Sequence, residues 1–231
     1  MIFMAVAIGA GAAYVSDYYR ADAVAADALE TDDITQTVYI DSETVAFIPE
    51  NPVAGMIFYP GGKVEYTAYA SLLESLAQEN ILTVLVKMPF NLAVMDINAA
   101  EGIKENFTEI DNWYMAGHSL GGSMAASYIS SHTEDFDGLV MLAAYSTADL
   151  GGTDVAVLSV YGSNDGVMDM KKYSDYYHNL PQDTTEIVIE GGCHAYFGSY
   201  GLQEGDGEAA ITPQEQIEIT VKSVAEWIEN R

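Results

Sequence analysis

The stretch that decides the fold is WYMAGHSLGG, residues 113–122. Its apolar start predicts a buried strand, and the residues after Ser119 follow a helical pattern. Between the two lies a complete G-x-S-x-G motif, from Gly117 to Gly121. A turn that exposes a serine hydroxyl at the end of a strand is strained and crowded, so positions two before and two after the serine must lack bulk. The motif therefore predicts a nucleophilic Ser119; the alternative is a glycine-rich turn with an incidental serine.

Strand and helix patterns alternate outward from this motif. Apolar, β-type runs cover residues 37–40, 44–48, 54–59, 81–86, 113–116, 139–144, 155–161 and 184–190. Helical spacing covers residues 66–78, 93–104, 119–131 and 168–180, and a last helix opens at Thr212 with Pro213 and Glu215 in a capping-box arrangement. The alternation predicts an α/β fold, a mostly parallel, doubly wound sheet of about seven to eight strands with helices on both faces.

A serine nucleophile needs a base and an orienting acid, and both are expected at the carboxyl ends of other strands. Of the four histidines, His194 follows a strand in a loop and is the best base by position, whereas His118 lies inside the motif and is expected to point away from the nucleophile. Asp165 follows the strand over 155–161 and is the predicted acid, with Asp169 as the alternative. The chain order serine, aspartate, histidine is the order of one particular fold.

An oxyanion needs two fixed N–H donors, one of them from the residue after the nucleophile, here Leu120. The second is expected from Gly62 in the loop after residue 59, with Lys63 as the alternative. Aromatic residues in nearby loops are candidates for the substrate pocket or for packing: Phe90, Tyr196, Phe197 and Tyr200.

The acidic loop at Glu204, Asp206 and Glu208 lacks the spacing of a twelve-residue calcium loop and is interpreted as solvated. We expect no metal and no cofactor.

The chain from about residue 36 to its end resembles the α/β-hydrolase superfamily, in particular small lidless bacterial esterases related to dienelactone hydrolase. The resemblance rests on YPGGK, GHSLGG, YGSND and GGCHAYFGSYG. It implies Ser119 as nucleophile, His194 as base and then acid, Asp165 as orienting group, and Gly62 with Leu120 as oxyanion hole. Dienelactone hydrolases use a cysteine nucleophile, so the serine here argues against that specific reaction. The short connection over 144–154 leaves no room for a lid and implies an open site for short acyl groups.

The acidic composition limits the kinds of molecule that the protein is expected to bind. The 231 residues include 35 Asp and Glu but only 8 Lys and Arg, a formal net charge of −27. This charge disfavours nucleic acid and anionic lipid headgroups. The acidic excess has two interpretations: a solvated surface suited to a salty or external medium, or attraction of a cationic substrate. The first is favoured, because the carboxylates are spread along the chain. The lone Cys193 excludes a disulfide scaffold.

The sequence divides into a hydrophobic segment over 1–15, a helical connector over 16–35 and the main domain over 36–231. The first segment is short for a membrane span and has no basic residue before it. It is interpreted as part of a membrane anchor or export signal, or as a packed helix. An extracytoplasmic location, anchored or secreted, is expected, with the cytoplasm as the alternative.

These features together predict a serine hydrolase that cleaves small carboxylic esters. Two alternatives stay open: an acyl transferase or thioesterase with the same three residues, and a non-catalytic, envelope-associated binding module on the same fold. Oligomeric state is not predicted.

Overall fold

Strands in the computed structural model, which describes residues 15–30 and 34–231, form an eight-stranded sheet. Their bounds are β1 Thr35–Tyr39, β2 Thr44–Pro49, β3 Ala54–Tyr59, β4 Ile81–Val86, β5 Trp113–His118, β6 Gly138–Leu142, β7 Ala156–Gly162 and β8 Thr184–Ile189. The order across the sheet is β1-β2-β4-β3-β5-β6-β7-β8. The predicted mostly parallel, doubly wound sheet is confirmed.

Most neighbouring strands in the sheet pair in parallel, and the central strands are buried. β3, β4 and β5 are mostly apolar and buried at every position, which is typical of parallel strands covered on both faces. Strands β3 to β8 pair in parallel. β1 and β2 form an antiparallel hairpin, and β2 runs antiparallel to β4. The carboxyl ends of β3 to β8 therefore share one edge of the sheet, where the motif serine was predicted.

Helices cover both faces of the sheet. They are α1 Ala23–Asp27, α2 Ala70–Gln78, α3 Leu120–Ile129, α4 Met170–Tyr176 and α5 Pro213–Glu229. Buried side chains of α2 and α5 belong to one apolar cluster and those of α3 to the other. The predicted start of α5 is confirmed, because Thr212 and Glu215 form a complete capping box. Residues 143–155, between β6 and β7, contain no helix, so no lid is evident there.

The helix predicted over 93–104 is wrong. The chain there makes only short 3-10 turns, at Pro89–Asn91, Ala93–Met95 and Lys104–Asn106. Gly102 has a φ of +75°, which interrupts a right-handed helix. Ala93, Ala100 and Ile103 are nonetheless buried. Their helix-like spacing therefore reflects the positions at which a loop packs on the sheet.

Most of the predicted hydrophobic segment over 1–15 lies outside the described residues. No helix in the described ranges is long and apolar enough to cross a membrane. The described part of the predicted connector packs on the domain. Its Tyr19 N–H donates to the Lys63 carbonyl at 2.8 Å, and Tyr19 pairs with Val64 in a parallel bridge. The connector thus lies against the loop that follows β3.

Candidate active site

The turn between β5 and α3 has the strained geometry that the motif predicts. Ser119 has φ 52° and ψ −120°, a region that residues with a side chain rarely adopt. Its N–H donates to the Leu142 carbonyl at 2.9 Å, which fixes the turn to the end of β6. A Cβ added at Gly121 would lie 2.1 Å from the Tyr59 carbonyl oxygen. Only glycine fits at that position, and the serine is held at the carboxyl edge of the sheet.

Asp165 and His194 form a buried pair at the same edge. The Asp165 Oδ1 accepts the N–H groups of Val167 and Met168, both at 2.8 Å. Its Oδ2 lies 2.8 Å from His194 Nδ1, and both side chains are only 1% exposed. Because an ionised carboxylate only accepts hydrogen bonds, Nδ1 carries the proton and Nε2 has a lone pair. The loop after β7 thus sets the tautomer of the histidine.

Ser119 and His194 line one cavity of about 340 Å³. The His194 Nε2 is buried and has no hydrogen-bond partner among the described residues. Hydrogen bonds between a nucleophile and its base are often long before substrate binds. The structure therefore brings the predicted serine, histidine and aspartate together, with the basic nitrogen of the histidine available.

The walls of this cavity differ from the sequence-based expectation. The apolar part is formed by Leu120, Ala143, Ala144, Tyr145, Val167 and Met168, and the polar part by Ser123, Asp169 and Lys172. Phe90, Tyr196 and Phe197 do not line it. Phe197 is fully buried in the core, and Phe90, at a φ of +57°, is 58% exposed. Loop aromatics could not be assigned from sequence because their direction depends on backbone angles that the residue type does not specify.

The loop after β3 approaches the nucleophile turn. A Cβ at Gly62 would lie 2.9 Å from Leu120 Cδ2, so these two predicted oxyanion residues are neighbours. The N–H of Leu120, at the first position of α3, has no acceptor within its own helix. The N–H of the alternative, Lys63, donates to the Asn91 carbonyl at 2.8 Å. That bond speaks against Lys63 as an oxyanion donor.

A second histidine, His118, lies directly against the first, although it does not line the cavity beside Ser119. The rings of His118 and His194 are 4.6 Å apart between centroids. Burial, with a smaller effect of His194, holds the pKa of His118 well below its ordinary value. His118 is therefore neutral at physiological pH and does not repel a positive charge on its neighbour.

Tyr69 completes this buried contact. Its hydroxyl accepts the Gly61 N–H at 3.0 Å and lies 2.8 Å from His118 Nδ1. The two atoms are within hydrogen-bond distance, so the tyrosine links the loop after β3 to His118. No local pattern in the sequence indicates this pairing, which joins residues 49 positions apart.

The remaining candidates have structural partners. Asp169, the alternative acid, caps α4 by accepting the Lys172 N–H at 3.0 Å. His132 and His178 lie at helix ends and contact backbone carbonyls of Tyr128 and Asp175.

The lone thiol next to the histidine is fully buried. Burial raises the pKa of Cys193 to about 12, so the thiol is protonated at neutral pH. A protonated thiol is a weak nucleophile, which agrees with a packing role for this residue.

The acidic loop after the histidine is less solvated than expected. Glu204 and Glu208 are exposed, but Asp206 is half-buried and its carboxylate accepts backbone N–H groups. In the described part of the chain, no three His, Cys, Asp or Glu side chains converge as a metal ion would require.

Comparison with known proteins places the chain in a family. The model of the alpha/beta hydrolase family matches residues 55–218. Among solved structures, a predicted CIB-like hydrolase from Thermoplasma acidophilum aligns with a TM-score of 0.58 at 16% identity, covering 83% of this chain and 98% of that one. Est1E from Butyrivibrio proteoclasticus aligns with a TM-score of 0.60 at 14% identity, covering 86% and 98%. Curated proteins give no match. With its family model spanning the motif serine and the histidine loop, the chain belongs to the alpha/beta hydrolase family.

Proposed function

We propose that this protein is a serine hydrolase that cleaves small carboxylic esters through an acyl-enzyme on Ser119. The observation that carries the proposal is the buried Asp165–His194 pair, in which Oδ2 and Nδ1 are 2.8 Å apart. His194 lines the same cavity as the strained Ser119. A serine hydroxyl is unreactive at neutral pH unless a neighbouring base removes its proton. Of the described histidines, His194 lies in that cavity with a buried, unpaired nitrogen.

In the first step, His194 Nε2 takes the proton of Ser119 Oγ as the oxygen attacks the ester carbonyl. The carbonyl carbon becomes tetrahedral and its oxygen becomes negative. The N–H groups of Leu120 and Gly62 are proposed to hold that oxygen. The imidazolium formed on His194 is stabilised by the Asp165 carboxylate through Nδ1. It then gives its proton to the leaving alkoxide, the carbon–oxygen bond breaks, and an alcohol departs.

In the second step, water replaces the alcohol. His194 removes a proton from the water, which attacks the acyl carbon bound to Ser119. The tetrahedral intermediate collapses, the serine oxygen regains its proton from the imidazolium, and the carboxylic acid leaves. His118, kept neutral by burial beside His194, adds no charge that would oppose the imidazolium in either step.

The size of the cavity supports short acyl groups. Its volume of about 340 Å³ lies at the lower end of the roughly 300–1,000 Å³ typical of ligand sites. Alanines at positions 143 and 144 contribute little bulk to its wall, whereas Tyr145 and Met168 are larger side chains in the same wall. We expect acetyl and butyryl esters to enter and octanoyl esters to extend into solvent.

Hydrolysis of nitrophenyl acetate, butyrate and octanoate by wild type and Ser119→Ala tests the proposal. We expect kcat/KM to be highest for acetate or butyrate and to fall by roughly 10⁵-fold in the variant. Ser123→Ala is a matched control, since this hydroxyl also lines the cavity but donates to the Tyr145 carbonyl at 2.8 Å. A folded wild type without Ser119-dependent turnover of any ester would contradict the proposal.

A further inference from the structure

One carboxylate outside the proposed triad binds the loops that carry two triad members. The Asp206 Oδ1 accepts the N–H groups of Gly166 at 3.1 Å, His194 at 3.1 Å and Gly207 at 2.8 Å. Its Oδ2 accepts the Ala195 N–H at 2.8 Å. Gly166 directly follows the proposed acid Asp165, and His194 is the proposed base. The carboxylate thus connects the loop after β7 with the loop after β8.

The backbones of these loops are in direct contact around Asp206. A Cβ added at Gly207 would lie 1.8 Å from the Asn164 carbonyl oxygen. Asn164 in turn donates its side-chain N–H to the Glu208 carbonyl at 2.8 Å. This close approach leaves no space for a larger side chain at position 207. The acidic loop therefore lies against the acid-bearing loop as a fixed support.

Asp206 is charged in this setting. Burial opposes its ionisation, but the N–H groups of Gly166, Ala195, His194 and Gly207 outweigh burial and hold the pKa of Asp206 below its ordinary value. Hydrogen bonds from N–H groups to an ionised carboxylate are roughly twice as strong as those between neutral groups. Three of the four bonds, from Gly166, His194 and Ala195, join the two loops to this one carboxylate.

We infer that Asp206 is a positioning residue that fixes the Asp165–His194 pair in its reactive geometry. The inference rests on the proposed function, since it assigns a role relative to that pair. Asp206 is absent from the wall of the substrate cavity, so it acts through the two loops and not on substrate. A displacement of about 1 Å in a reacting group can cost roughly 100-fold in rate.

The test is Asp206→Asn, with Glu208→Gln as the matched control. Asparagine keeps the shape but replaces one acceptor oxygen with a donor, so at least one of the four N–H groups loses its partner. Glu208→Gln removes the same charge from the same loop at an exposed side chain. Exhaustive labelling with a fluorophosphonate probe counts the active sites in each preparation, and kcat is then expressed per titrated site.

We expect kcat per site to fall about 10- to 100-fold in Asp206→Asn with KM changed less than about 3-fold, and both to stay near wild type in Glu208→Gln. A purely structural role would lower the titrated fraction and leave kcat per site unchanged, which would overturn the inference. A large rise in KM with unchanged kcat would also overturn it, since Asp206 would then act on substrate binding. If Asp206→Asn does not accumulate in folded form, Asp206→Glu gives the same readout, because it keeps the charge but displaces both oxygens.

A second readout is independent of turnover. The proton on His194 Nδ1, shared with Asp165, gives a downfield ¹H NMR signal in the free protein, and we expect Asp206→Asn to shift or broaden it while Glu208→Gln does not. An unchanged signal would contradict the positioning role even in a protein that hydrolyses no ester. Absence of turnover in wild type would contradict the proposed function alone.

Discussion

The two ends of the sheet differ in where backbone strain lies and in what their cavities contain. Among the described residues, six non-glycine positions have positive φ. Five of them follow the carboxyl ends of strands β3 to β6: Lys63, Phe90, Asn91, Ser119 and Ala143. The sixth, Asn80, lies at the other end, before β4. Strained backbone is thus concentrated at the edge that holds the proposed catalytic groups, as expected where strain supports function.

The larger cavity lies at the opposite, amino edge. Its volume is about 660 Å³, against about 340 Å³ beside Ser119. Some of its polar side chains form hydrogen bonds within the fold. Arg231 donates to both oxygens of Asp183, at 2.8 and 3.2 Å. Asp137 accepts the Trp113 N–H at 2.8 Å. Cavity size alone therefore does not select the candidate site. The proposal rests instead on the smaller cavity, which combines a strained serine with an unpaired imidazole nitrogen.

Among the substitutions that remove a carboxylate, the largest loss of kcat is expected at Asp165, which is proposed to orient the base. Asp165→Asn removes the acceptor that sets the His194 tautomer and should lower kcat about 10⁴-fold. Asp169→Asn, four residues on, keeps an acceptor at the N-cap of α4 and should change kcat less than about 3-fold and the free energy of unfolding by less than about 1 kcal/mol. Steady-state kinetics and thermal unfolding of the two variants distinguish these roles. Equal losses of kcat would show that the acid has been assigned to the wrong residue.

The next effect in size is a difference in the free energy of unfolding between two variants at Ser119, where the backbone is strained. Ser119→Gly should be more stable than Ser119→Ala by about 1–3 kcal/mol, because glycine adopts a φ of 52° without steric cost. Neither variant should turn over ester. Urea unfolding of both variants gives the difference directly. If the alanine variant were as stable as the glycine variant, the proposed concentration of strain at the carboxyl edge would be incorrect.

The smallest effect is expected at the amino edge. Arg231, through hydrogen bonds and charge, holds the pKa of Asp183 below its ordinary value. The pair therefore adds stability above the ordinary pKa, near 4, and loses it as pH falls through the lowered value. Because Asp183 is exposed, Asp183→Asn should cost less than about 1 kcal/mol at pH 7 and leave kcat/KM unchanged. Unfolding at pH 7 and pH 3.5 measures the difference; a loss of activity would give the larger cavity a role in turnover.

Much of this architecture was predictable from local patterns. The bounds of β3 and β4 were predicted as they stand, since continuous apolar runs bounded by turn residues have few other interpretations. The sequence also predicted which loops would meet, because the carboxyl ends of parallel strands share an edge. Ser119, Asp165 and His194 could be chosen on that basis before any coordinates were known.

The rest depends on contacts between distant parts of the chain. Tyr69 with His118, and Asp206 with Gly166, are paired by the packing of segments that are distant in sequence, and neither pairing has a signature in residue spacing. The helix predicted over 93–104 failed for a similar reason, since its apolar residues anchor a loop and Gly102 interrupts the helix. Periodicity shows which residues are buried but not always in which conformation.

The most direct test of the central claim is mass spectrometry of the protein after reaction with a fluorophosphonate probe. The account predicts one covalent adduct per chain, located on Ser119 in the peptide that contains the G-x-S-x-G motif, and no adduct in Ser119→Ala. Folded wild type that stays unlabelled, or an adduct on another residue, would contradict it.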